Sequence, residues 1–171
     1  MDMNFKTTQS NTFSLKASSI NTASPVGIFT TEIPQENPYK ALFNPAGYNF
    51  FDMPISEFKN IINVIIQLES DIRTGKWGEG ARPDEFSYQL NRVSNAIATT
   101  NFKGKTDISC YFLKRVEEAK DMIGEDCTSF IQAHNSVSQL YNTVLQLTSE
   151  EGFRAIQNKA LAHLKEQQAF A

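Results

Sequence analysis

The residues of this chain best suited to chemistry are few: two histidines, two cysteines and one tryptophan. Cys127 and His134 stand seven positions apart. On a helix that spacing keeps them on one face but separates them by about 10.5 Å along the axis. Zinc bonds to sulfur and nitrogen are only about 2.0–2.3 Å long, so the two cannot share a metal. Cys110 and Cys127 are expected as small core residues, His134 as a helix-face residue with a polar partner, and His163 as solvent-facing. The carboxylates come in adjacent pairs, Glu117-Glu118, Glu125-Asp126 and Glu150-Glu151. Neighbours on a helix point in different directions, so none of these makes an acid/base couple or a two-metal cradle. Gly75-Lys76-Trp77-Gly78-Glu79-Gly80 lacks the Lys-Ser/Thr ending of a phosphate loop and follows a helical pattern rather than a strand. Neither a Gly-x-Ser-x-Gly elbow nor a His-Glu-x-x-His pair occurs. The expectation is a non-enzymatic protein with no catalytic residues, no metal and no cofactor.

Two segments point to binding instead. The stretch from Gly75 to Arg82 holds the single tryptophan and three of the eight glycines, flanked by Lys76 and Arg82. Tryptophan and arginine dominate binding hot spots, so Lys76, Trp77 and Arg82 are candidate protein-binding residues. The competing and preferred reading of the ring itself is a plug, with Trp77 folded back onto the end of the bundle. The second segment, 32–52, alternates prolines with Tyr39, Leu42, Phe43, Tyr48, Phe50 and Phe51. It is too aromatic for a free linker: Tyr39, Phe43, Tyr48 and Phe50 must either pack on the folded body or await a partner.

The elements that position these residues are helical. All six prolines lie at or before Pro83, which leaves the rest of the chain permissive for long helices. From Met53, with Asp52 as cap and Pro54 in the first turn, Phe58, Ile61, Ile62, Ile65, Leu68 and Ile72 recur at helical spacing up to a stop at Gly75. Pro83-Asp84-Glu85 opens a second helix carrying Phe86, Leu90, Val93 and Ile97. After a turn around Gly104, Thr106 begins a third, which ends at Gly124; Glu125 and Asp126 begin a fourth. Ser149 caps a fifth, with Phe153, Ile156, Ala160, Leu161 and Leu164 on its apolar face. The fold class is therefore all-α: an antiparallel bundle of four to five helices over 53–171 with little or no sheet, preceded by an extended arm.

That arm, 1–31, carries five serines and six threonines, and its apolar residues are scattered. Hydroxylic side chains compete for backbone hydrogen bonds, so it is expected to be extended or disordered and dispensable for folding. Across the chain, 16 Lys+Arg stand against 19 Asp+Glu, a formal net charge of -3, which disfavours broad binding of nucleic acid. The longest apolar run, Ile61 to Ile66, is far short of the roughly 20 residues of a membrane span.

With its Ser, Thr, Asn and Ile and a single acidic residue, Asp2, the segment Met1 to Thr31 resembles the uncleaved N-terminal signals of bacterial type III secretion substrates. In such substrates an apolar-dotted chaperone-binding stretch often follows, and residues 26–51 fit that description. The resemblance implies a secreted bacterial virulence effector that acts on a host protein, located outside the bacterium or in the host cell, with a secretion chaperone as a further partner. Without it, the localisation reading is cytoplasmic. The alternative function is a structural or assembly subunit of a capsid, filament or secretion apparatus, in which the arm lies on a neighbouring copy of a homo-oligomer.

Overall fold

The structure, a computed structural model, describes residues 37–99, 102–121 and 128–169. The arm 1–31, Gly124, the Glu125-Asp126 helix start, Cys127 and the side chain of His134 lie outside what it describes. Among the described residues five helices carry the fold: α1 (Ile55–Trp77), α2 (Glu85–Ala98), α3 (Ile108–Asp121), α4 (Thr128–Thr148) and α5 (Glu150–Ala169). A 3-10 turn, Lys40–Leu42, precedes them. Two short strands, β1 (Met53–Pro54) and β2 (Lys105–Thr106), pair antiparallel with Met53 opposite Thr106. The expected all-α bundle is what forms.

α1 is the organising element. Ile55, Phe58, Ile61, Ile62, Ile65 and Leu68 recur every three or four residues and are all buried, so one face of the helix is continuous core. α1 packs on α2 and α5, and α4 packs on α3, α2 and α5. Leu90 and Val93 from α2, Ile108 and Phe112 from α3, Val144 and Leu147 from α4, and Phe153 and Ala160 from α5 complete the same core.

The aromatic segment before α1 belongs to this core. Tyr39, Leu42, Phe43, Tyr48 and Phe50 are buried. Phe50 meets Phe58 and Phe153 edge-on with ring centroids 6.1 and 5.2 Å apart, and Tyr48 meets Phe153 at 5.4 Å. Such pairs add about 0.5–1.5 kcal/mol beyond area burial. Polar atoms tie the backbone down: Gln157 Nε2 donates to the Leu42 carbonyl at 2.6 Å, and the Tyr48 hydroxyl donates to the Ala41 carbonyl. Pro45 and Ala46 turn the chain, closed by Gly47 N–H to the Asn44 carbonyl at 2.8 Å. Of the two fates left open for these rings, packing on the body is the one realised.

Helix ends account for the departures from expectation. α1 runs through Gly75 to Trp77; the residue that stops it is Gly78, at φ 81°, whose N–H still reaches the Thr74 carbonyl. A glycine inside a helix costs only about 1 kcal/mol and does not break the ladder, whereas a positive φ does. Asp52 does not cap α1. It pairs with Lys105 at 3.3 Å across the strand pair, and Pro54 stands in extended backbone before the first turn. α3 begins after Asp107, not at Thr106: Asp107 Oδ1 accepts the Cys110 N–H at 3.0 Å while Thr106 pairs with Met53. Ser149 caps α5 as expected, accepting the Gly152 N–H at 3.1 Å, and within the expected Pro83-Asp84-Glu85 start it is Asp84 that caps α2, accepting the Ser87 N–H at 2.8 Å.

Candidate functional site

Trp77 is the most exposed large apolar side chain among the described residues, at 71%. The plug reading of its ring is therefore wrong. Because α1 continues past Gly75, the indole projects from the final helical turn instead of folding back from a loop, and Lys76 Nζ lies 5.4 Å from the ring centroid. Gly78 and Gly80, at φ 81° and 86°, then carry the chain to α2 through conformations that other residues rarely adopt.

Beside the indole runs a groove of about 280 Å³, formed by the last turns of α1, the start of α2 and the middle of α5. Lys76, Trp77 and Arg82 line it together, joined by Arg73 and Lys159, which the sequence did not single out. Only Arg73 carried a signal: it falls four residues before Trp77, one helical turn away. Lys159 comes from α5, far along the chain, and only tertiary packing places it there.

The groove holds four cations against two carboxylates, Glu69 and Asp84. Lys159 Nζ lies 2.6 and 2.5 Å from the two Glu69 oxygens. Asp84 accepts the Ser87 N–H at the head of α2. That hydrogen bond, with further help from Lys159 and Arg73, lowers the Asp84 pKa despite partial desolvation. Arg73 reaches only the hydroxyls of Ser87 at 3.5 Å and Ser70 at 3.4 Å. Among the described residues, Arg73, Lys76 and Arg82 make no ion pair with a carboxylate, although Arg73 acts on Asp84 through its charge.

Across α1 lies a second, larger groove of about 690 Å³, lined by Asp71, Ile72, Gly75, Lys76, His163, Glu166 and Gln167. Its charges are mixed, Asp71 and Glu166 against Lys76. Asp71 accepts from the Tyr39 hydroxyl at 2.7 Å and from Gln67 Nε2 at 2.6 Å. Burial first, then the hydrogen bond and negative charge of Asp71, push the Tyr39 phenol well above its usual range. His163 is half-buried rather than solvent-facing, with its ring 6.1 Å from Tyr39.

Of the seven candidate binding residues, Lys76, Trp77 and Arg82 share one surface groove. Tyr39, Phe43, Tyr48 and Phe50 are spent in the core and present no surface to a partner. Cys110, expected inside, is exposed. Desolvation and the neighbouring Asp107 raise its thiol pKa, the opposite of activation. Among the described residues, no group of three or more His, Cys, Asp or Glu is placed to hold a metal ion, and no helix is long and apolar enough to cross a membrane. No protein-family model, no curated protein and no solved structure matches the chain.

Proposed function

We propose that this chain is a non-enzymatic protein-interaction module that engages its partner through the groove beside Trp77. The observation that carries the reading is the exposed indole at the end of α1, set beside cations that make no ion pair among the described residues. Leaving an indole in water forgoes about 1.5–3 kcal/mol of burial, a cost readily recovered when a partner covers it. The flanks are held by α1 and by the Asp84 cap of α2, so little chain entropy opposes docking. The N-terminal composition supplies the wider setting: a secreted bacterial effector whose partner is a host protein.

Two measurements test the two halves. Trp77→Ala should abolish partner capture in a pull-down from host lysate while the melting curve stays in place; unchanged capture removes the groove from consideration. A reporter fused behind residues 1–31 should leave a bacterium that has a type III apparatus and stay inside one that lacks it. Retention in both strains ends the secretion half of the reading.

A further inference from the structure

We infer that the groove beside Trp77 takes an acidic segment of a partner protein, with carboxylates on Arg73, Lys76 and Arg82 and an apolar or aromatic side chain against the indole. The inference rests on the protein-binding reading of the groove and adds its chemistry.

Charge is the first argument. The chain is net negative, yet this groove gathers four cations against two carboxylates. Glu69 is paired with Lys159, and Asp84, held by the Ser87 N–H, offsets one further charge. Four cations against two carboxylates leave a surplus of two positive charges, and Arg73, Lys76 and Arg82 make no ion pair among the described residues. An incoming carboxylate finds two guanidinium groups and an ammonium that need not first give up an ion pair. Arginine offers such a group two parallel N–H donors.

Shape and composition form the second. One flat apolar face beside point charges suits a segment that alternates acidic and apolar residues. At about 280 Å³ the groove accommodates a few side chains, not a domain. A nucleic-acid strand fits less well, because its long run of phosphates would meet a chain of formal net charge -3 beyond this one small groove. The chain's own arm is the wrong sign: residues 1–31 carry Lys6 and Lys16 against Asp2.

Trp77, as the only tryptophan, supplies the readout. Full-length protein is titrated with a short peptide of Asp and Glu around one phenylalanine, with its Asn/Gln counterpart, and with a thymidine oligonucleotide, and tryptophan emission is followed. The acidic peptide should blue-shift the emission, more at low salt than at high salt. Arg82→Gln should weaken that binding about two- to fivefold, and Lys76→Glu with Arg82→Glu on the order of tenfold or more. Both positions are exposed, so melting should stay unchanged in the variants.

Equal response to the Asn/Gln peptide, tighter binding of the oligonucleotide, or indifference to the charge variants overturns the proposal. So does a shift in the emission of the free protein on deletion of 1–31, or one that tracks protein concentration, since the occupant is then the arm or a second copy. Partner capture separates the levels. Loss with Trp77→Ala but not with Lys76→Glu and Arg82→Glu removes only the acidic chemistry, whereas capture untouched by either removes the binding reading itself.

Discussion

The Glu69 carboxylate sits under the ammonium of Lys159, both oxygens within 2.6 Å of Nζ, although the two residues lie 90 positions apart. The carboxylate is almost wholly buried at the α1–α5 contact, and the lysine is partly exposed. This pair ties α5 to α1 and lines the groove beside Trp77.

Cutting that pair from one side leaves a charge with no partner. Lys159→Met should destabilise the protein by about 1–3 kcal/mol, below the full cost of a wholly buried pair because one partner is wet. Lys159→Met combined with Glu69→Gln should recover a good part of the loss. Urea unfolding of the single and double variants measures the coupling, and additive effects would mean that the contact contributes nothing.

Gly152 admits no side chain. A Cβ built there would stand 1.9 Å from the Gln146 carbonyl oxygen, at the joint where Ser149 alone separates α4 from α5. Backbone cannot swing aside as a flexible side chain can, so Gly152→Ala should cost on the order of 3 kcal/mol, although alanine is the better helix former. A variant as stable as the wild type in thermal melting would contradict this geometry.

Alkaline pH should loosen the packing of the aromatic segment that precedes α1. Burial, then the charge of Glu57, pushes the Tyr48 phenol up to about 12 from 10.0. Burial and Asp71 move Tyr39 the same way. Below pH 10 both phenols are protonated in the folded and unfolded chains and stability does not depend on them. Between the unfolded value and the raised folded value only the unfolded chain releases these protons, so stability is lost as pH rises through that window. Melting temperature against pH should turn downward above about pH 10, and Tyr39→Phe should blunt the fall. An unaltered slope in that variant would assign the transition to other groups.

Aromatic substitutions should sort by position, not by type. Phe50→Ala opens the cluster shared with Phe58 and Phe153 and should cost about 3–5 kcal/mol. Trp77→Ala removes a larger ring from solvent and should change stability by no more than about 0.5 kcal/mol. Paired calorimetry of the two variants decides whether their roles are as different as their burial.

Much of this architecture is local chemistry and so was legible without coordinates. Ile61, Ile62, Ile65 and Leu68 declare a buried helix face by spacing alone; Asp84 and Ser149 declare helix starts because a short polar side chain satisfies N–H groups within three residues. Lys76, Trp77 and Arg82 were recognisable as one patch because they are near neighbours in the chain. What lay beyond reach depends on pairing across distance. Whether α1 stopped at Gly75 or Gly78 turned on which glycine took a positive φ, and that decided whether the indole was a plug or an exposed surface. Asp52 was diverted from capping by Lys105, and Thr106 by Met53, through a strand pair two residues long, too short to leave an alternating pattern. The fate of Tyr39, Tyr48 and Phe50 was decided by Asp71 and Phe153, and the backbone between them is held by Gln157. Lys159 reached the groove only because α5 packs on α1. Residue spacing encodes which face of a helix seeks burial, but not which distant face covers it, and that choice determined which aromatic residues became core and which stayed on the surface.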